Sequence, residues 1–210
     1  LFSVVMITIA LDIVLRTITD DLIGSVPRPL GDPWGADVVN IGPALVAKTE
    51  IATLVVTIIT LAGIALFFRS RYGIAMRATA FDQEAAMAQG ISAGRIFAIA
   101  WAIGAGLAAL AGIFSSLYPR SALGVSSTTA FFAFRALPAI VIGGLDSILG
   151  AVIGGFIVGL AETNAGVYLT GATWSFLGVG FSGVMPYIVM LAVLLIRPYG
   201  LFGTEEIRRV

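Results

Sequence analysis

The 210-residue chain is 59% hydrophobic and 11% charged, with a formal net charge of zero and a mean hydropathy of +1.03. Soluble domains carry about 25% charged residues, and a water-facing shell could not hide this much apolar surface. The balance points to a lipid bilayer and not to a nucleic-acid partner, while the lack of Cys and His excludes disulfide scaffolds, Cys/His metal sites and His- or Cys-based nucleophiles.

A bilayer core about 30 Å thick needs about 20 apolar residues in a helix. The apolar runs are Leu1–Leu15, Ile51–Phe68, Ile96–Leu117, Ala130–Ile142, Ile148–Ala161 and Phe176–Ile196. They predict an all-α, polytopic transmembrane helix bundle with about six membrane segments. The first run opens Leu-Phe-Ser-Val-Val, without Met or a basic stretch, and so is expected to be the end of a truncated span and not a signal peptide. The second, third and last runs are expected to be full spans. The fourth and fifth are short, and Gly143-Gly144 with Asp146-Ser147 separates them, which predicts a tight helical hairpin or two half-helices. Between the runs, Arg16–Thr49 reads as an extended loop with a short strand near Val38-Val39. Glu162–Gly183 reads as a Gly/Thr/Asn-rich loop, and Gly200–Val210 as a polar tail. A single membrane domain is expected over 1–203, followed by a tail at 204–210.

Lys and Arg favour the cytoplasmic side of short loops. With Arg69–Arg95 inside, alternation places Arg69, Arg71, Arg77, Arg95, Arg197, Arg208 and Arg209 inside, and Arg16, Arg28, Lys48 and Arg120 outside. The expected C-terminus is therefore cytoplasmic.

The connector Arg71–Ile96 carries the most information. Its middle, Ala75–Gln89, is rich in Ala, Met, Glu and Gln and predicts one short helix at about 75–90, with Gly90 as its C-cap and Ser92 as the N-cap of the next span. Phe81, Ala85 and Ala88 would form a narrow apolar stripe beside Asp82, Gln83 and Glu84. Interfacial helices carry many Lys/Arg and large apolar anchors. Acidic residues and alanines suit close docking against protein better.

Glu84-Ala85-Ala86-Met87-Ala88-Gln89-Gly90 resembles the E-A-A-x-x-x-G element on the coupling loop of bacterial ABC importer permeases. The wider run from Gly73 to Ile91, the stretch Ala139–Ala151 continuing through Gly154-Gly155 to Glu162, and the ending Arg197-Pro198-Tyr199-Gly200-Leu201-Phe202-Gly203 resemble the branched-chain amino acid permease family. The resemblance covers most of the chain from about Leu45 onward. The generic importer motif continues to an Ile-x-Leu-Pro element. Here Ile99-Ala100-Trp101-Ala102 stands in that neighbourhood, as in the branched-chain subgroup and unlike maltose-type permeases. The family also has further N-terminal spans. The resemblance implies a permease subunit in a bacterial or archaeal plasma (inner) membrane. Its implied partners are ABC ATPase subunits that bind the ATP, a second permease subunit, identical or related, and a periplasmic or lipid-anchored substrate-binding protein. It implies that Arg77, Asp82, Glu84, Ala85, Ala86, Gly90 and Ile91 couple to the ATPase, and it implies no catalytic or metal-binding residue and no cofactor in this chain. Consistently, no G-x-x-x-x-G-K-[ST] string is present.

Arg135, Pro138, Gly143 and Gly144 are candidate translocation-path residues, because Gly/Pro-broken segments can free backbone groups for a zwitterion. Close helix packing is the alternative, and it is the preferred reading for Gly154-Gly155 together with Gly150 and Ala151. Arg135 could line the path, pair with Glu162 or snorkel to the surface. Glu162 reads as the end of a span, and Tyr187 as an interfacial anchor. The rival function is an ion-coupled secondary transporter or channel. It would need several intramembrane acids, and only Asp12 and Glu162 qualify.

Overall fold

Helices dominate the computed structural model, which describes residues 2–24, 26–28, 30–31, 33–35, 37–117, 124–125, 132–169 and 180–204. The chain divides into two units, Leu1–Thr129 and Ala130–Val210. The expected outer loop with Arg120, the start of the run at Phe176 and the tail arginines Arg208 and Arg209 lie outside the described residues.

The first unit begins with α1 (Phe2–Ile23). The loop expected from Arg16 is therefore helical for eight more residues. The reason is that its polar side chains return to the helix. Arg16 pairs with Asp12 at 2.9 Å, Thr17 donates to the Ile13 carbonyl at 2.9 Å, and Thr19 donates to the Leu15 carbonyl at 2.7 Å. Gly24, at φ +95°, ends the helix and donates to the Asp20 carbonyl. The strand expected near Val38-Val39 is present as β1 (Val38–Ile41), paired antiparallel with β2 (Ala44–Ala47), Val38 opposite Ala47. Lys48 ties the base of this hairpin to the next helix, its ammonium 2.7 Å from the Asp37 carboxylate.

That helix, α2 (Lys48–Arg69), is followed by α3 (Arg71–Phe81), α4 (Gln83–Ala88) and α5 (Ala93–Ser115). Helices α2 and α5, with 22 and 23 residues, are long and apolar enough to cross a membrane. Both ends of the α3–α4 connector therefore lie at one membrane face.

The second unit holds α6 (Phe132–Gly143), α7 (Ile148–Tyr168) and α8 (Phe181–Ile196). The fifth apolar run is not short. It continues as a 21-residue helix of spanning length, and Glu162 lies within it, not at its end. Two interactions make this possible. Asn164 donates its side-chain amide to the Leu160 carbonyl at 2.7 Å, and Glu162 meets Arg135 of α6 at 3.2 Å. Helices α6 and α8 have only 12 and 16 residues, about 18 and 24 Å at 1.5 Å per residue. The hairpin reading of the Gly143-Gly144 break is the one adopted.

Glycines set the closeness of α6 and α7. A Cβ on Gly154 would collide with the Ala139 carbonyl, and one on Gly143 with the backbone of Gly150. Gly155 faces open space, so packing explains Gly154 and not its neighbour. Ala139, Ile142 and Val158 are buried at the centre, and Val189, Met190 and Val193 of α8 close over them.

Pro138 lies buried inside α6 and has no N–H, so the Phe134 carbonyl lacks its normal donor four residues on. The Tyr187 hydroxyl of α8 donates to that carbonyl at 3.1 Å. Tyr187, expected as an interfacial anchor, also supplies a donor to this carbonyl of α6. Tyr187→Phe should destabilise the protein by about 1 kcal/mol, read as a lower midpoint of unfolding in detergent. An unchanged midpoint would mean that water replaces the hydroxyl.

Candidate functional site

The connector between α2 and α5 is built from capping interactions. Ser70 closes one helix and opens the next: its hydroxyl donates to the Phe67 carbonyl at 2.6 Å and accepts from the Gly73 N–H at 3.4 Å. Gly73 is buried where a Cβ would meet the Phe67 carbonyl. Arg77 donates to the Phe68 carbonyl at 3.1 Å, a cation placed on the C-terminal turn of α2. Arg77 therefore holds α3 against α2 within this chain.

The single helix expected at about 75–90 is two. Asp82 takes an extended conformation, φ −152°, and separates α3 from α4. Its N–H still donates to the Ala78 carbonyl, while its carboxylate accepts from the Ala85 N–H at 2.9 Å. Asp competes well for a cap and poorly for a helix interior. That local bond outweighs the helix-forming residues around it.

The far end of α4 closes through Gly90, at φ +82°. The Gly90 N–H donates to the Met87 carbonyl at 2.9 Å, and the Ile91 N–H reaches back to the Ala86 carbonyl at 3.1 Å. This pair of bonds is the Schellman closure, which needs a residue tolerant of positive φ. The expected helix closure at Gly90 is present, with Gly90 one residue past the C-cap Gln89. Ser92 occupies the N-cap position of α5, but its side chain makes no capping bond.

These caps decide which side chains point outward. Ala86 is buried at 5% exposure, and Thr79 of α3 is buried as well. Asp82, Glu84, Ala85 and Gly90 are exposed, and Phe81 is 95% exposed. Of the seven coupling candidates, Glu84 and Ala85 present side chains outward, Arg77 is bonded to α2 and Asp82 within the connector, Gly90 and Ile91 form the closure, and Ala86 anchors α4 inward.

In the second unit, the residues after α8 return to the turn between α6 and α7. The Leu201 N–H donates to the Ile142 carbonyl at 2.8 Å, and the Phe202 N–H to the Gly143 carbonyl at 3.0 Å. The Thr204 N–H donates to the Asp146 carboxylate at 3.2 Å, and its hydroxyl donates to the same oxygen. Gly144, at φ +103°, lies against Gly203. The expected polar tail is therefore, through Thr204, a strap that satisfies the last carbonyls of α6, and 205–210 lie outside the described residues. The Thr204 hydroxyl, then its N–H, holds the Asp146 carboxyl below the usual aspartate value of 3.8. This contact favours the folded state above that value and loses its contribution as the pH falls through the lowered one.

Of the four path candidates, Pro138 is buried, Gly143 packs on Gly150, and Gly144 packs under the strap. Arg135 keeps a side chain 56% exposed while paired with Glu162. Asp146, Thr204, Tyr187 and Ser70 were not singled out from the sequence as site residues. Only the Arg197–Gly203 motif hinted that this end has structure.

Residues 1–196 match the family described as "Branched-chain amino acid transport system / permease component". The high-affinity branched-chain amino acid transport system permease protein LivH of Escherichia coli (strain K12) is 32% identical over 169 residues, 80% of this chain and 51% of the relative. BraD of Pseudomonas aeruginosa, named as a high-affinity permease protein of the same kind of system, is 34% identical over 169 residues, 79% of this chain and 51% of the relative. The probable branched-chain amino acid transport permease protein LivH of Methanocaldococcus jannaschii is 32% identical over 158 residues, 74% of this chain and 48% of the relative. The chain spans about half the length of these curated relatives. No solved structure matches it. Family match, motif positions and membrane-length helices agree, and the chain belongs to the branched-chain amino acid transport permease family.

Proposed function

We propose that this chain is part of the membrane-spanning permease subunit of an ATP-driven ABC importer for branched-chain or similar amino acids. The relatives' names support the substrate class. The ATP would be hydrolysed by separate ATPase subunits, and an external binding protein would deliver the substrate to a pair of permease subunits. The α3–α4 connector would face the cytoplasm with the C-terminus.

One observation carries the reading: Glu84 and Ala85 lie exposed on α4, whose orientation both caps and buried Ala86 fix. A rigid, small-residue surface can seat closely in a groove of an ATPase. Outward movement of that ATPase would pull on α2 through Ser70 and Arg77. Arg135, with its Glu162 partner, and the Pro138–Gly144 turn are proposed to border the path. Arg135 could meet a substrate carboxylate.

The test is uptake of labelled leucine into vesicles holding the full-length permease, its partner permease and the ATPase, with binding protein supplied at the outer face. Uptake should require ATP and the ATPase together. Uptake driven by an ion gradient, with no need for ATP, would favour the secondary transporter.

A further inference from the structure

A groove of about 540 Å³ opens between α3 and the start of α5. Arg71, Tyr72, Ser92, Arg95, Ile96 and Ile99 line it. Arg71 stands two residues past the end of α2, and Arg95 stands in the first turn of α5. Both spans meet the same membrane face there, so the two guanidinium groups lie at headgroup level. Both residues are exposed, and neither makes an ion pair among the described residues. The N-terminus of α5 adds partial positive charge, and the Ser92 side chain leaves it uncapped. No acidic residue lines the groove. Below the arginines the wall turns apolar along Ile96 and Ile99, in the direction of the bilayer core.

We propose that this groove binds one anionic phospholipid, its phosphate between Arg71 and Arg95 and an acyl chain along Ile96 and Ile99. The charge pattern argues for this occupant. Two cations and a helix N-terminus recognise a phosphate, Tyr72 suits the headgroup layer, and the apolar floor suits a chain that a free anion lacks. Arginine forks bind phosphate with two donors each. Gly90 and Ile91, which close α4, also line the groove, whereas Glu84 and Ala85 on the outward face of α4 do not. A lipid there would brace α3 on α5 and hold the connector's angle. This goes beyond the transport reading and rests only on α2 and α5 crossing the membrane.

The experiment is native mass spectrometry of the full-length protein, extracted into detergent from bilayers containing equal phosphatidylglycerol and phosphatidylcholine. One phosphatidylglycerol should be retained in about tenfold preference. The R71Q/R95Q variant should lose that preference. R71K/R95K should keep part of it, which guards against a variant that merely folds badly. Arg69→Gln removes a neighbouring charge outside the groove and should leave retention unchanged. Equal retention of the two lipids, undiminished preference in R71Q/R95Q, or equal loss in R69Q would overturn the proposal. So would protection of Arg71 and Arg95 from phenylglyoxal by the ATPase subunit but not by phosphatidylglycerol nanodiscs, since the groove would then be a protein-docking surface.

Discussion

Replacing Gly154 with leucine should leave little folded protein, whereas the same change one residue later at Gly155 should be nearly silent. A Cβ at Gly154 points at the Ala139 carbonyl, a backbone atom of α6 that cannot rotate away. A Cβ at Gly155 meets nothing within 4 Å. Overpacking a close contact costs about 1–3 kcal/mol when side chains can yield, and more when backbone must move. Here α6 must separate from α7, which also disturbs Gly143 against Gly150 and the strap bonded to the Ile142 and Gly143 carbonyls. A loss above 3 kcal/mol is therefore expected at Gly154, against about 0.5 kcal/mol at an exposed site. Monodispersity after extraction and the unfolding midpoint would separate the two. Equal damage from both would mean that α7 turns a different face to α6.

The same pair shows how much of the fold was legible. The apolar runs and the Gly143-Gly144 break were readable because lipid demands long apolar helices and glycine interrupts them. Which of two adjacent glycines makes the contact depends on the rotation of α7, and no local pattern records that. The helix extensions escaped for another reason. Thr17, Thr19, Asn164 and Glu162 look like loop residues, yet each bonds back to its own helix or across to Arg135. The break at Asp82 was present in the sequence as a capping residue, but its helix-forming neighbours argued the opposite way. The strap could not be read at all except by resemblance, because its bonds from Leu201 and Phe202 run between backbone groups some 60 residues apart. At the connector, Gly90 was legible from its cap position. The inward turn of Ala86 was not, since Ala85 and Ala86 are identical in type and only the tertiary fold tells them apart.

That difference gives the sharpest test of the coupling surface. Ala85→Trp should cut ATP-dependent uptake by about tenfold or more, because a bulky side chain in a close-fitting groove costs about 1–3 kcal/mol of docking. Stability should change by only about 0.5 kcal/mol, since Ala85 is exposed and its own backbone N–H to Asp82 is retained. Ala86→Trp should behave in the opposite order. At 5% exposure it has no room, so the variant should unfold more easily before any question of docking arises. Uptake, ATPase co-purification and the unfolding midpoint, measured on both, distinguish a docking face from a helix that only needs to be intact. If Ala85→Trp transports normally while Ala86→Trp fails, α4 is a structural link, and the outward face of Glu84 and Ala85 carries no partner. If Ala85→Trp loses both uptake and ATPase retention with its stability intact, the ATPase seats on that face, and motion must reach α2 through the Ser70 and Arg77 contacts that bind the connector to the end of that span.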